Sequence, residues 1–172
     1  MFGHLQIKSS YSFQNSTILI DRLVEDASLK HIDALALTDK NNMFGAMEFS
    51  EACLKKGIKP IFGIEASVKI DEEIYPFIIL AKDDVGYFDL VKINCDINLS
   101  SDKCIDLKAL SVYKGHIYFI SGLSVGIVER LVSKEMEDEA IRYMKLFKSM
   151  FQDHYNLMIQ NHHLNNQQKQ NE

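Results

Sequence analysis

Several common signatures are missing from this sequence, and each absence narrows the classes of protein it can belong to. Its three cysteines, Cys53, Cys95 and Cys104, show no CxxC or other metal-ligand spacing, so we interpret them as free thiols in a reducing, cytoplasmic setting. No apolar run reaches the roughly 18 residues of a membrane span, and residues 1–4 do not resemble a signal peptide. We therefore expect a cytoplasmic protein with no membrane partner.

Motifs for nucleotide binding and for nucleophilic catalysis are also missing. The eight glycines are scattered, and neither GxxxxGK[ST], GxGxxG nor GxSxG occurs. Ser9, Ser10 and Ser12 have no base placed beside them by the sequence. The formal net charge of −5 disfavours a chain that grips DNA by itself, because non-specific affinity for DNA comes from a basic face.

Short β-rich runs alternate with amphipathic stretches along the 172 residues. Strands are predicted at 2–7, 34–37, 60–68, 75–81, 116–120 and 155–159, and helices at 19–29, 43–56, 85–94, 123–132 and 136–151, with a short helix near Leu107. This order predicts an α/β fold with a mainly parallel sheet. An open doubly wound sheet and a (β/α) barrel both fit. A barrel normally needs about 200 residues, so a barrel here is incomplete or small.

Polar side chains follow three of the predicted strands. Gln6 and Lys8 end the first strand, Asp39 and Lys40 follow the second, and Glu65 lies in the third. The carboxyl ends of parallel strands meet at one edge of a sheet, where functional residues gather. These side chains are therefore expected to converge, although polar residues are also common at strand ends for solubility alone.

These segments resemble the PHP (polymerase and histidinol phosphatase) domain of bacterial DNA polymerase III alpha subunits. The stretches that carry the resemblance are HLQIKSSYS (4–12), ALALTDKNNMFGA (34–46), GIKPIFGIE (57–65), LAK (80–82), GY (86–87) and YNLMIQNH (155–162). The resemblance implies a distorted (β/α)7 barrel that is incomplete in this chain, with residues 1–160 forming the N-terminal part of the domain. Residues 161–172 form a polar Asn/Gln-rich tail, expected to be disordered or to start the next helix.

Active members of this family bind zinc, manganese or iron through His-x-His, the histidine of TDH and the glutamate of GxE. Carried over by position, the histidines correspond here to Gln6, Lys8 and Lys40, whereas Asp39 and Glu65 are kept. An ammonium group has three donors and no lone pair, so it repels a cation instead of binding it. We expect no metal, no cofactor and no catalytic residue in this part of the chain.

The two lysines suggest a replacement for the lost metal charge. Lys8 and Lys40 are expected to form a salt-bridge cluster with Asp39 and Glu65. In the alternative interpretation, both ammonium groups are free in solvent.

The implied function is that of a non-catalytic domain of a DNA-directed DNA polymerase, with a structural or interaction role in DNA replication. Its implied partners are the remainder of the polymerase chain and other replisome subunits. DNA and catalytic magnesium belong to the parent polymerase, a nucleotidyltransferase, and not to this fragment. Two alternatives remain open: an active metal-dependent phosphoesterase or 3′-5′ proofreading nuclease, and a module that binds phosphate or nucleic acid through Lys8 and Lys40.

Overall fold

The structure, a computed structural model, describes residues 3–159 of the chain, which form seven strands and six α-helices. The strands are β1 (Gly3–His4), β2 (Ala34–Leu37), β3 (Lys59–Ile70), β4 (Glu73–Ala81), β5 (Ile105–Asp106), β6 (Ile117–Ser121) and β7 (Tyr155–Leu157). The helices are α1 (Ile20–Leu29), α2 (Ala46–Lys55), α3 (Asp84–Leu99), α4 (Leu107–Leu110), α5 (Ile127–Ser133) and α6 (Glu137–Phe151).

The strands form one mixed sheet in the order β1-β2-β3-β4-β6-β7, and β5 pairs with the far end of β3. Strands β1, β2 and β3 are parallel. Strand β4 is antiparallel to both β3 and β6, and β7 is parallel to β6. Because two antiparallel steps restore the direction, β6 and β7 run the same way as β1 to β3. Their carboxyl ends therefore lie at one rim of the sheet.

The helices cover one face of this sheet. Alternate strand residues pack outward against two helix-bearing clusters, one with α1 and α2 and a larger one with α3, α5 and α6. The opposite face carries a smaller apolar cluster of Ala36, Ile78, Leu80, Ile120 and Leu123. A doubly wound sheet carries helices on both faces, so this arrangement is that of an incomplete barrel, as predicted.

The inner face of the incomplete barrel borders a cavity of about 1430 Å³. Residues of β1 and β7, the two end strands of the sheet, both line it. Within residues 3–159, no helix is long and apolar enough to cross a lipid bilayer.

Most strand pairings among residues 3–159 are parallel, as predicted, but the sheet is antiparallel at its centre. Strands β3 and β4 form an antiparallel hairpin from Gly63↔Leu80 to Ile70↔Glu73. Asp71 starts the connection in the left-handed region, with φ of 54°, and no helix intervenes. The sequence IDEEIY (70–75) lacks the Asn-Gly or Asp-Gly pair that signals such a hairpin.

Some predicted boundaries also differ from the structure. Strand β1 is shorter than predicted. The chain returns to the edge of the sheet at Ile7, whose carbonyl accepts a hydrogen bond from the Thr38 amide at 2.8 Å. Helix α2 begins three residues later than predicted, because the Asn42 side chain caps the Phe44 amide in a preceding turn. The strand predicted at 75–81 begins two residues earlier, at Glu73, so Pro76 lies inside β4, before the residues that pair with β6. The predicted tail, 161–172, lies outside the described residues.

Candidate functional site

Three segments converge at the rim where the parallel strands end. The chain after β2 stays paired with β3: the Glu65 amide donates to the Asp39 carbonyl at 3.0 Å, and the Asn41 amide donates to the Glu65 carbonyl at 3.0 Å. Lys40 and Glu65 are partners in this isolated bridge. The segment after β1 is joined to this bridge by side-chain contacts. The predicted convergence of Lys8, Asp39 and Glu65 is thus present in the structure.

Asp39 is held by three donors from the segment after β1. Its carboxylate accepts hydrogen bonds from the Ser9 amide at 2.7 Å, from Ser9 Oγ at 2.7 Å and from Ser12 Oγ at 2.6 Å. All three residues are buried. The Ser12 hydroxyl also accepts the Lys40 amide at 2.9 Å. The buried carboxylate is thus satisfied by three uncharged donors of the same chain.

Glu65 is neutralised by Lys8. Lys8 Nζ lies 2.8 Å from Glu65 Oε2, and the side chains are 24% and 8% exposed, respectively. Glu65 alternates with outward-facing residues of β3, such as Ile64 and Ala66, which belong to the helix-covered cluster, so it lies on the inner side of the sheet. An ion pair is thus present at two of the positions where the resemblance implies metal ligands.

Lys40 differs from Lys8. Its side chain is exposed, and no carboxylate within the described range 3–159 lies at ion-pairing distance from its ammonium group. The expected pairing of Lys40 with Asp39 is therefore not found there; Asp39 is occupied by serine donors instead. Gln6 lines the inner cavity and a second cavity of about 550 Å³ beside α1.

The role of the two serines is not evident from the sequence. No base is placed beside Ser9 and Ser12 for a nucleophilic role, and in the structure both hydroxyls donate to Asp39. The Ser9 hydroxyl further accepts the Tyr11 amide at 3.2 Å. Short polar side chains in the turn after a strand were the available signal, because such residues commonly bond to nearby backbone and turn groups.

A model of the PHP domain family matches residues 4–162. The chain belongs to the PHP domain family. It is similar to the DNA polymerase III subunit alpha of Bacillus subtilis (strain 168), with 37% identity over 87% of this chain and 14% of the relative. It is also similar to that of Rickettsia conorii, with 33% identity over 97% of this chain and 15% of the relative. The chain thus spans about one seventh of the length of these curated relatives.

Among solved structures, the PHP domain is similar to an amidohydrolase from Chromobacterium violaceum. That match covers 55% of this chain and 32% of the other, with 22% identity and a TM-score of 0.44. It is too distant to bear on the site.

The donor set of this PHP domain does not fit the metal cluster of active family members. Such clusters need several nitrogen and oxygen ligands that converge with free lone pairs. Here the Lys8 ammonium lies against Glu65, and three donors already occupy the Asp39 carboxylate. Among residues 3–159, no three His, Cys, Asp or Glu side chains form a metal-binding group. The His162-His163 pair lies outside the described residues.

Proposed function

We propose that this PHP domain is part of the alpha subunit of a replicative DNA polymerase and has a non-catalytic, structural role there. The proposal is supported by the relatives, which carry the name DNA polymerase III subunit alpha and match 87–97% of this chain. Template-directed nucleotide transfer, its magnesium ions and the contacts with DNA then belong to other parts of the polymerase. The remainder of that chain and further replisome subunits in the cytoplasm are its proposed partners.

The Lys8–Glu65 ion pair is the observation that carries the non-catalytic role. A divalent cation that binds Glu65 has to displace an ammonium group 2.8 Å away. The displaced Lys8 charge then remains close to the incoming metal, because its backbone adjoins Ser9, whose amide is bonded to Asp39. Like charges at this separation repel strongly in a partly buried site. The site is therefore better suited to internal neutralisation than to metal-assisted hydrolysis.

Metal analysis and a hydrolysis assay test this role. The purified chain is incubated with Zn²⁺, Mn²⁺ or Fe²⁺, desalted and analysed for bound metal. It is then assayed on p-nitrophenyl phosphate and on a 3′-labelled DNA primer, with and without EDTA. We expect substoichiometric metal and no EDTA-sensitive turnover. Stoichiometric metal together with turnover that EDTA abolishes would instead establish the phosphoesterase or proofreading alternative.

A variant that reintroduces histidine provides a matched control. Gln6→His/Lys8→His/Lys40→His removes both ammonium groups and restores the HxH and TDH patterns. It is expected to retain more Zn²⁺ than the wild type, since the cationic barrier is gone and imidazole supplies lone pairs. Equal metal content in the folded variant and the wild type would show that the lysines are not what prevents metal binding.

The structural role is tested in the full-length alpha subunit. Lys8→Met removes the ammonium and leaves Glu65 without its partner. We expect the melting temperature of the polymerase to fall while primer extension by the folded fraction keeps its wild-type rate. A variant with unchanged stability and lost primer extension would contradict a structural role, because it would place Lys8 in the chemistry itself.

A further inference from the structure

Glu129 is a buried carboxyl with an unsatisfied oxygen. Its side chain lies in the first turn of α5 and is 8% exposed. Oε2 has no hydrogen-bond partner. It lies so close to Gly126 that a Cβ added there would collide with it. A buried carboxylate oxygen without a partner is costly when ionised and much less so when protonated.

Helix α5 links this carboxyl to the core and to the last strand. Ile127 and Val128 pack into the cluster that contains Phe147 and Phe151 of α6. Before α5, the chain passes very close to β7, because a Cβ at Gly122 would collide with the Met158 carbonyl. The Met158 amide also donates to the Ser121 carbonyl at 2.7 Å. The turn that precedes α5 is therefore packed directly against the end of β7.

The charged and titratable groups around α5 leave Glu129 without a described counter-ion. Arg130, on the same helix, bonds to Glu73 at 3.2 Å and lies over the Tyr75 ring. On α6, the Tyr143 hydroxyl bonds to Asp71 at 3.1 Å. On β7, the Tyr155 hydroxyl is 2.7 Å from Ser121 Oγ.

Burial shifts the pKa values of both Glu129 and Tyr155. Burial raises the pKa of Glu129 to about 7, from an ordinary value of 4.5. Burial also raises the pKa of Tyr155, and the Glu129 charge adds to that increase. The Glu129 shift agrees with a carboxyl that is enclosed by the fold and neutral at mildly acidic pH.

We propose that the Glu129 carboxyl is a protonation-controlled latch: α5 and its preceding turn pack more stably against the end of β7 while the carboxyl is neutral. In its neutral form the carboxyl stays enclosed beside Gly126. Once ionised, it draws α5 and residues 122–126 toward water, because no described cation compensates the charge. Since β7 lines the inner cavity, opening of the latch changes the wall of that cavity. The inference concerns a region apart from the Lys8–Glu65 rim and does not depend on the proposed function.

Hydrogen–deuterium exchange at pH 5.5 and pH 8.5 tests the latch, with each rate corrected for the pH dependence of chemical exchange. The Glu129 pKa is about 7 in the closed state and has its ordinary value of 4.5 in the open state. Protection from exchange is therefore expected to fall about 30-fold between pH 5.5 and pH 8.5. The fall is expected in residues 122–133 and in β7. The same segments of Glu129→Gln are expected to lose no protection, because glutamine does not ionise. Helix α1 serves as an internal reference in both proteins.

Glu137→Gln, in the exposed first turn of α6, is the matched charge control and is expected to respond to pH like the wild type. A 13C titration of the glutamate carboxyls in the wild type provides a second measurement that needs no variant. Its expected result is one carboxyl titrating near pH 7 as protection falls. Equal protection at the two pH values in the wild type, or an equal fall in wild type and Glu129→Gln, overturns the proposal.

Discussion

Two buried carboxylates in this PHP domain have opposite surroundings. Asp39, at the rim of the parallel strands, accepts three hydrogen bonds from Ser9 and Ser12. Glu129, in the first turn of α5, has one carboxyl oxygen without a hydrogen-bond partner. Both are at least nine-tenths buried. The two carboxyls thus differ in the hydrogen-bond donors that they meet and not in how deeply they are buried.

Removal of Asp39 gives the largest expected effect. Asp39→Ala leaves two serine hydroxyls and the Ser9 amide without their acceptor in a buried site. Because hydrogen bonds to a charged group are strong and their buried partners costly to leave unpaired, we expect a loss of about 3–5 kcal/mol in the free energy of unfolding. Urea denaturation measures it.

Asp153→Ala is the control for Asp39→Ala. Asp153 is fully exposed and its pair with Lys148 spans 3.4 Å, so we expect no measurable loss in the free energy of unfolding. Similar losses in the two variants would contradict the importance of the three donors.

Removal of the Lys8 ammonium ranks second. Lys8→Met leaves Glu65 charged and 8% exposed, and we expect a loss of about 2–3 kcal/mol in unfolding free energy, less than for a fully buried pair because Lys8 is partly exposed. The double variant Lys8→Met/Glu65→Gln should recover much of this loss. Chemical denaturation of the single and double variants gives the coupling energy.

Lys30→Met provides the matched comparison for Lys8. Lys30 and Asp26 form an exposed pair at 3.4 Å, with side chains 68% and 69% exposed, and the expected loss is below about 0.5 kcal/mol. A coupling energy near zero between Lys8 and Glu65 would remove the ion pair as a stabilising feature of the rim.

The pH dependence of Glu129 ranks third. Its pKa is raised to about 7 in the folded state, from 4.5, so the folded chain binds more protons than the unfolded chain between these values and stability falls as pH rises through them. Between pH 5.5 and 8.5, wild type is expected to lose about 2 kcal/mol more than Glu129→Gln. Denaturation of both proteins across this range measures the difference, and parallel pH profiles would contradict it.

The smallest effect is expected at Lys40. Its side chain is exposed, and no carboxylate among residues 3–159 lies at ion-pairing distance from it. Lys40→Ala should therefore change the unfolding free energy by less than about 0.5 kcal/mol. A melting temperature that falls as far as in Lys8→Met would show that the two lysines act together after all.

The parts predicted well are those that depend on local pattern. Strand β2 begins and ends as predicted, and α1 differs by one residue, because a continuous apolar run and a 3.6-residue periodicity are properties of the segment itself. The β3–β4 hairpin was missed because its turn contains no glycine and relies on Asp71 at positive φ.

The candidate site was predictable in its location but not in its bonding. Strand order and alternation indicated that Lys8, Asp39 and Glu65 would meet. Which donor reaches Asp39 depends on small differences in distance between segments that are 30 residues apart in the chain, as in the Ser9–Asp39 bonds. No rule based on sequence spacing predicts such differences. The burial of Glu129 gave no signal at all, since a single acidic residue in a short helix is usually exposed.

The ammonium that neutralises Glu65 is part of the same polypeptide. Its concentration at the site is fixed by the fold and does not vary with the metal content of the medium. The Lys8–Glu65 contact is made within the fold itself, so it needs no metal carrier and a chelator cannot remove it. Scarcity of zinc, manganese or iron therefore leaves this source of stability unchanged.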